Sequence, residues 1–405
     1  MLGLLVQSLM RIPWNLSMQG MQQVTRYLLP DEQVNSIMKN AFALSDRLQR
    51  GVVFEALMQS TQTVETMAPG EVGQLAWREF RNKLQAYGAY EYVETSLQIS
   101  RGADINLLDL VLQTEKLDPY MAVWVTEGIG HYYAEEQWKQ GYIPQNLLLE
   151  EHLDGLPERS LIVLHAGMGL SFAEHQLRLL STRRTGADIR RVIQKFIELC
   201  VMNSRPGYKN IAIEALGLVA RTLFPHLLSD IDREIKDMDL DLDLLALFWH
   251  GVGRGLYFLP IHFIPQAAAG RRALEMALSE PPHRSGRLNA VAGMAWPLTL
   301  VNIRHPYVME SFLKESPQLL VDSDAFSQGV STAVMTWFES TSDDPALQAF
   351  ITHRPSNLAL ISVWNRHIRM PSQNAMDNHF PKLKAQKRLD DLFRYTPLAR
   401  LIENT

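Results

Sequence analysis

Cysteine is all but missing: Cys200 is the single one in 405 residues. One thiol excludes an internal disulfide framework and any CxxC-type zinc or iron–sulfur site. An excess of positive charge is missing too. Lys and Arg number 39 against 44 Asp and Glu, a formal net charge of −5. That excludes the dense cationic face that nucleic acid requires. No stretch reads cleanly as a membrane span. The best candidate, Leu244 to Gly270, carries His250, Arg254 and His262 and is broken by Pro260 and Pro265. Ionisable groups are expensive at bilayer depth, so the stretch reads as a buried core helix. A secretory signal is not apparent either, because the first apolar run contains Gln7 and Ser8 and lacks a cationic start. The expected location is the cytoplasm.

Familiar nucleotide and nucleophile motifs are also lacking. There is no G-x-x-x-x-G-K-[ST] loop and no G-x-S-x-G elbow. Gly251 to Gly255 reads G-x-G-x-G, without the final spacing or the preceding strand of a dinucleotide site. No nucleotide cofactor is expected. Asp237, Asp239, Asp241 and Asp243 alternate with Met and Leu but lack the glycine and closing glutamate of a calcium loop. They read as an acidic helix start, where the helix dipole favours negative charge. Cys200, in an apolar helix, reads as a small buried hydrophobe.

What is present is core-forming material. Hydrophobic residues make up 46% and charged residues 20%, enough for a sizeable core and too apolar for wholesale disorder. Within it, Glu127-Gly-Ile-Gly130 is followed by His131-Tyr-Tyr-Ala134-Glu135, and Ala166-Gly-Met-Gly169 by Leu170-Ser-Phe-Ala173-Glu174. The shared pattern is G-x-G-x-x-x-A-E. Weaker copies are Glu214-Ala-Leu-Gly217, His250-Gly-Val-Gly253, Ala292-Gly-Met-Ala295 and Gln328-Gly-Val-Ser331. The anchors, one residue before the first small position, fall at 127, 166, 214, 250, 292 and 328, with steps of 39, 48, 36, 42 and 36. Apolar positions around each anchor recur at three and four residues, which favours helix over strand. A step of roughly 40 residues accommodates two helices and two loops. The intervening stretches, Thr185 to Met202 for example, are amphipathic.

Glycine inside a helix costs about 1 kcal/mol relative to alanine. The usual compensation is close approach of another backbone or a ligand. Small residues at i and i+2 lie about 200° apart around a helix, so each marked helix is narrow on two sides. That suits an inner layer squeezed between neighbours. The expectation is an all-α chain of helical-hairpin repeats of 36–48 residues, arranged as an α/α toroid or a solenoid. Residues 1–110 form an N-terminal helical region with helices over 31–62 and 71–96. Residues 111–345 form the repeat core, and 346–405 a helical tail. The tail gathers Lys382, Lys384, Lys387 and Arg388, a basic cluster that either binds acidic partners or forms a solvated face. Residues 1–30, with Arg11 and Arg26 as their only charges, fit either an amphipathic helix on a membrane or partner or a segment packed on its own domain.

The succession EGIG, HAGMG, HGVGRGLYF, AGMAWPL and FSQGVSTAV resembles a bacterial family of unknown function whose members are often encoded near enediyne and other natural-product biosynthesis genes. Glu127 matches the acid of that family's first box, His165 the histidine of its second, Gly253-Arg254-Gly255 with Tyr257 and Phe258 its third, and Gln328 its last. The match spans about residues 120 to 340. His250 stands where the family usually has Gln, and Gly255 where Ser is common. The resemblance implies a biosynthetic setting and supplies no reaction.

Chemistry-bearing residues recur at the anchors. Glu127 and His131, at i and i+4, share a helix face. Glu127, Glu214, His250 and Gln328 occupy equivalent positions, and His165 lies one residue away. Glu127, His165, His250 and Arg254 are the candidate catalytic residues. Glu127, His131, His165, Glu214 and His250 are candidate ligands for a transition metal such as iron or zinc, against the alternative of a satisfied inter-helix hydrogen-bond network. Arg254, if buried, must be paired, and Glu214 one repeat earlier is the natural partner. The functional alternative is a grip on a ligand carboxylate or phosphate. Tyr132, Tyr133, Trp249, Tyr257, Phe258 and Trp296 either pack the core or line an apolar cavity. Two functions are expected to compete. One is an enzyme acting on a polyketide- or isoprenoid-like apolar small molecule by acid/base or metal-assisted chemistry. The other is a non-catalytic repeat scaffold that binds pathway proteins.

Overall fold

The computed structural model describes residues 50–397, apart from 98–104, 150–154, 239–242, 264, 317, 319, 321–322 and 342–343. The reading of residues 1–30, and of the first part of the helix expected over 31–62, lies outside the described residues. All elements among the described residues are helical, and no strand occurs there. None of these helices is by itself long and apolar enough to cross a membrane.

Local chemistry fixes many helix starts. Asp118 accepts the Tyr120 N–H at 3.0 Å, and Pro119 opens α4 (Pro119–Lys139), where its missing N–H is not needed. Thr185 and Asp188 form a reciprocal capping box at the head of α6 (Gly186–Asn203). His283 Nδ1 accepts the Gly286 N–H at 2.9 Å to cap α12 (Arg284–Val301). The remaining helices are α1 (Arg50–Met67), α2 (Gly70–Thr95), α3 (Leu107–Thr114), α5 (Leu161–Arg178), α7 (Lys209–Leu223), α8 (Leu228–Asp237), α9 (Leu244–Tyr257), α10 (Pro260–Phe263), α11 (Ala269–Ser279), α13 (Pro306–Glu315), α14 (Ala325–Thr341) and α15 (Pro345–Thr352).

The helical run from Ile361–Trp364 to Phe380–Ala385, here α16, widens twice into π turns at Asn365–Arg369 and Ala375–His379. Pro371 and Pro381 explain both. Each lacks the N–H that would close on the carbonyl four residues back, at His367 and Asp377. The Met370 N–H bonds the Asn365 carbonyl and the Phe380 N–H that of Ala375, five residues back.

The helices that carry the anchors, α4, α5, α7, α9, α12 and α14, pack against one another in chain order. α6 lies against α5 and α7, α8 against α9, and α11 against α9 and α12. Glycine permits the inner contacts. A Cβ on Gly130 would overlap the Leu164 carbonyl, and one on Gly167 the Glu127 carbonyl. Gly217 meets Phe248, Gly251 meets Glu214, Gly253 meets Ala290, and Gly293 meets His250 in the same way. Helix touches helix through bare backbone, where dispersion and Cα–H···O contacts offset the low helix propensity of glycine. The stretch Leu244 to Gly270, read above as a core helix, is buried through all of α9 except Leu245.

α2 packs on α4 and reaches α12 and α13. Asn82 Nδ2 donates to Asn302 Oδ1 at 3.0 Å. The fully buried Lys83 donates to the His262 carbonyl at 2.8 Å and pairs with Glu79 at 3.0 Å. The Tyr120 hydroxyl donates to the Val301 carbonyl at 2.9 Å, and its ring lies 5.7 Å from that of Trp337. At the other side the short turn Leu389–Phe393 wedges Phe393 between His250 and Trp296. Gly207 makes room for that segment: a Cβ there would overlap the Lys387 carbonyl. One hydrophobic core runs from Ala68 to Phe393 and so includes parts of all three sequence regions.

Candidate active site

Four charged or titratable side chains meet between α4, α7 and α9. Arg254 Nη1 donates to Glu214 Oε2 at 2.8 Å, and its Nη2 to Glu127 Oε1 at 3.4 Å. His250 Nδ1 stands 2.8 Å from Glu214 Oε1. The guanidinium lies over the Trp296 ring, 4.5 Å from its centroid. Glu127, Glu214, His250 and Arg254 are all buried. An unpaired charge is unfavourable in such an interior. Burial raises the pKa of Glu127 above the ordinary 4.5; Arg254 opposes that shift and Glu214 adds to it. Burial works against the charge of Arg254, but Glu214 and Glu127 hold the guanidinium more basic than usual.

Two of the four, Glu127 and Arg254, line a cavity of about 80 Å³. Counted from the anchors, the lining is regular. Glu127 is itself an anchor. Leu170, Leu218 and Arg254 stand four residues after theirs, and Glu174, Thr222 and Phe258 eight residues after. Positions i, i+4 and i+8 form one helical stripe. Three anchored segments thus present the same stripe to the cavity, α4 adds Trp124 and Glu127, and α2 adds Tyr87 and Tyr90. The lining is almost wholly apolar apart from Glu127, Glu174, Arg254 and a few hydroxyls. Tyr90 lies within hydrogen-bonding reach of Glu127, and burial and that carboxylate push its phenol well above 10.

Glu174 is shifted in the opposite direction from Glu127. Burial favours its neutral form, but His131 and Arg178 prevail and bring its pKa below 4.5. His131 Nε2 lies 3.8 Å from Glu174 Oε2, and Arg178 pairs with the other oxygen. The cavity therefore offers two carboxyls shifted in opposite directions, Glu127 toward keeping its proton and Glu174 toward ionisation. No protein-family model matches this chain, and no curated protein or solved structure does.

The structure brings together Glu127, Glu214, His250 and Arg254 and sets His165 apart. His165 Nδ1 donates to the Leu161 carbonyl at 2.7 Å, and Nε2 accepts the Arg205 N–H at 3.1 Å. Its ring stacks on Tyr208, and burial depresses its pKa to about 3. Both nitrogens are committed to backbone, so the catalytic and metal-binding roles expected for His165 are withdrawn. The reason is angular. His165 precedes its anchor by one residue, about 100° around the helix, and faces the loop before α7.

The five-residue metal set is not assembled. His131 turns to Glu174, and Glu214 is occupied by His250 and Arg254. Among the described residues no three His, Cys, Asp or Glu side chains stand together as metal donors. Of the six aromatic residues singled out, Phe258 lines the cavity and Trp296 carries Arg254. Trp249 instead donates to Asp232 at 2.8 Å, and Tyr257 accepts from Asn302 at 2.8 Å. Gln328 Nε2 donates to the Arg394 carbonyl at 3.1 Å, away from the cavity.

Sequence reasoning missed Glu174, Tyr87, Tyr90 and Trp124. A signal for Glu174 was present, as it closes the G-x-G-x-x-x-A-E pattern. The tyrosines of α2 carried none, because their place depends on how α2 lies across α4 and α9. In the tail, Lys384 pairs with Glu339 and Glu158, and Arg388 with Asp391, while Lys382 and Lys387 are exposed.

Proposed function

We propose that the protein is an enzyme that holds an apolar small molecule, of polyketide or isoprenoid kind, with its reacting group against Glu127. The observation that carries this reading is a buried carboxyl, paired with Arg254 and raised in pKa by burial, in the wall of a cavity that is otherwise nearly all hydrocarbon and aromatic. A buried acid of raised pKa donates its proton more readily near neutrality than an exposed one. Glu214 and His250 act through Arg254 and are positioning residues. The cavity is small for a whole chain, so only the reacting end enters it and the remainder stays outside.

The arrangement proposed for the inner layer is the α/α toroid, in which the first and last marked helices meet. The contact of Tyr120 with Trp337 and Val301 supports it. Natural-product biosynthesis in the cytoplasm, beside a pathway protein, is the setting we propose on the motif resemblance alone.

The test uses the full chain in heavy water. Binding is read with parinaric acid, a fluorescent polyene, and displaced with polyprenyl and polyketide-type chains. Deuterium uptake into the displacing chain is read by mass spectrometry. We expect saturable binding, and at least a 100-fold slower uptake in Glu127→Gln with binding retained. Absence of binding, or uptake unchanged in Glu127→Gln, overturns the reading in favour of a scaffold.

A further inference from the structure

An open groove of about 960 Å³ lies between the start of α14 and α16, remote in sequence from the residues that line the first cavity. Ser327 and His367 both line it, and Ser327 Oγ stands 2.9 Å from His367 Nδ1. That is the distance of a nucleophile from its general base.

Three features set this pair apart from a packing hydrogen bond. Ser327 is the third residue of α14, in the turn whose backbone N–H groups have no acceptor within the helix and carry the positive end of its dipole. Such donors stabilise an oxyanion. His367 sits in the first π turn of α16, opened by Pro371, and widened turns of this kind recur at functional sites. Burial and the neighbouring Arg366 keep the imidazole of His367 below 6.5, so it is neutral and able to accept a proton at pH 7. Ser327 also belongs to the FSQGV box, and neither the cavity nor the Gln328 contact uses it.

We propose that Ser327 and His367 form a nucleophile–base pair that hydrolyses esters or thioesters admitted by the groove. Ser327 Oγ bonds to the acyl carbon as its proton passes to His367 Nδ1. The tetrahedral intermediate collapses with cleavage of the acyl–oxygen or acyl–sulfur bond, and the alcohol or thiol departs with that proton. Water then attacks the acyl-serine, giving one proton to His367. Its collapse releases the carboxylic acid and returns the proton to Ser327.

The test treats the full chain with a fluorophosphonate and, separately, with p-nitrophenyl butyrate. Peptide mass spectrometry should place the phosphonyl adduct on Ser327. Ester turnover should fall to the solution rate in Ser327→Ala, and labelling should slow at least 100-fold in His367→Gln. An unlabelled wild-type chain, or an adduct found only elsewhere, overturns the proposal. Because the adduct is mapped on the wild type, a misfolded variant does not blunt the result.

Discussion

Glu127 is the residue on which a measurement of stability against pH bears most directly. Its folded pKa lies above the ordinary 4.5. The stability it contributes is therefore complete below about pH 4.5 and is lost as pH rises through the folded value, at up to about 1.4 kcal/mol per pH unit. Glutamine cannot ionise. We expect Glu127→Gln to gain on the wild type as pH rises above about 4.5 and until the folded pKa is passed, read by urea unfolding; a constant difference would disprove the shift. His165 has the opposite sign. Its folded pKa of about 3 lies below the ordinary 6.5, so its contribution is complete above pH 6.5 and is lost as pH falls toward 3. His165→Gln should remove part of that acid sensitivity, again about 1.4 kcal/mol per pH unit at most. The two slopes can be read from one set of titrations, because the residues share no hydrogen-bond partner.

For single helices, glycine separates sites that tolerate a methyl group from sites that do not. Gly251→Ala or Gly293→Ala would drive a Cβ into a neighbouring carbonyl, and overpacking of this kind costs about 1–3 kcal/mol. Gly73, in the first turn of α2, has its nearest contact at an ordinary 3.5 Å. Gly73→Ala should stabilise by about 0.5–1 kcal/mol. Thermal melts of the three variants check the contrast, and equal effects would remove glycine's role in setting the helix spacing. This scale was also the most legible in the sequence. A Gly-x-Gly pair inside an apolar helical pattern has few reasons to exist besides close approach, so the closely packed helices that carry the anchors at Glu127 and His250 could be found from spacing alone. The place of His165 could not, because a one-residue offset from the anchor turns a side chain by about 100°. The π turns of α16 have no such spacing signal: the tail reads as helical, and the helix widens around Pro371 and Pro381 and continues.

In the molecule as a whole, distant segments complete one another, and here the sequence pattern was silent. Tyr87 and Tyr90 reach the cavity only because α2 crosses from α4 toward α12, a long-range contact with no local signature. Phe393 is likewise fully buried between His250 and Trp296, more than ninety residues ahead of it in the chain. Phe393→Ala should cost about 3–5 kcal/mol, measured as a drop in the urea midpoint. A loss below 1 kcal/mol would show that the wedge is dispensable. The wedge also bears on biosynthesis. While the ribosome is still adding residues beyond the inner helices, the hole flanked by His250 and Trp296 stays open, and apolar surface is exposed to other chains. Closure of this hole therefore follows translation of residue 393, and a nascent chain stalled before that point keeps the apolar surface open to association.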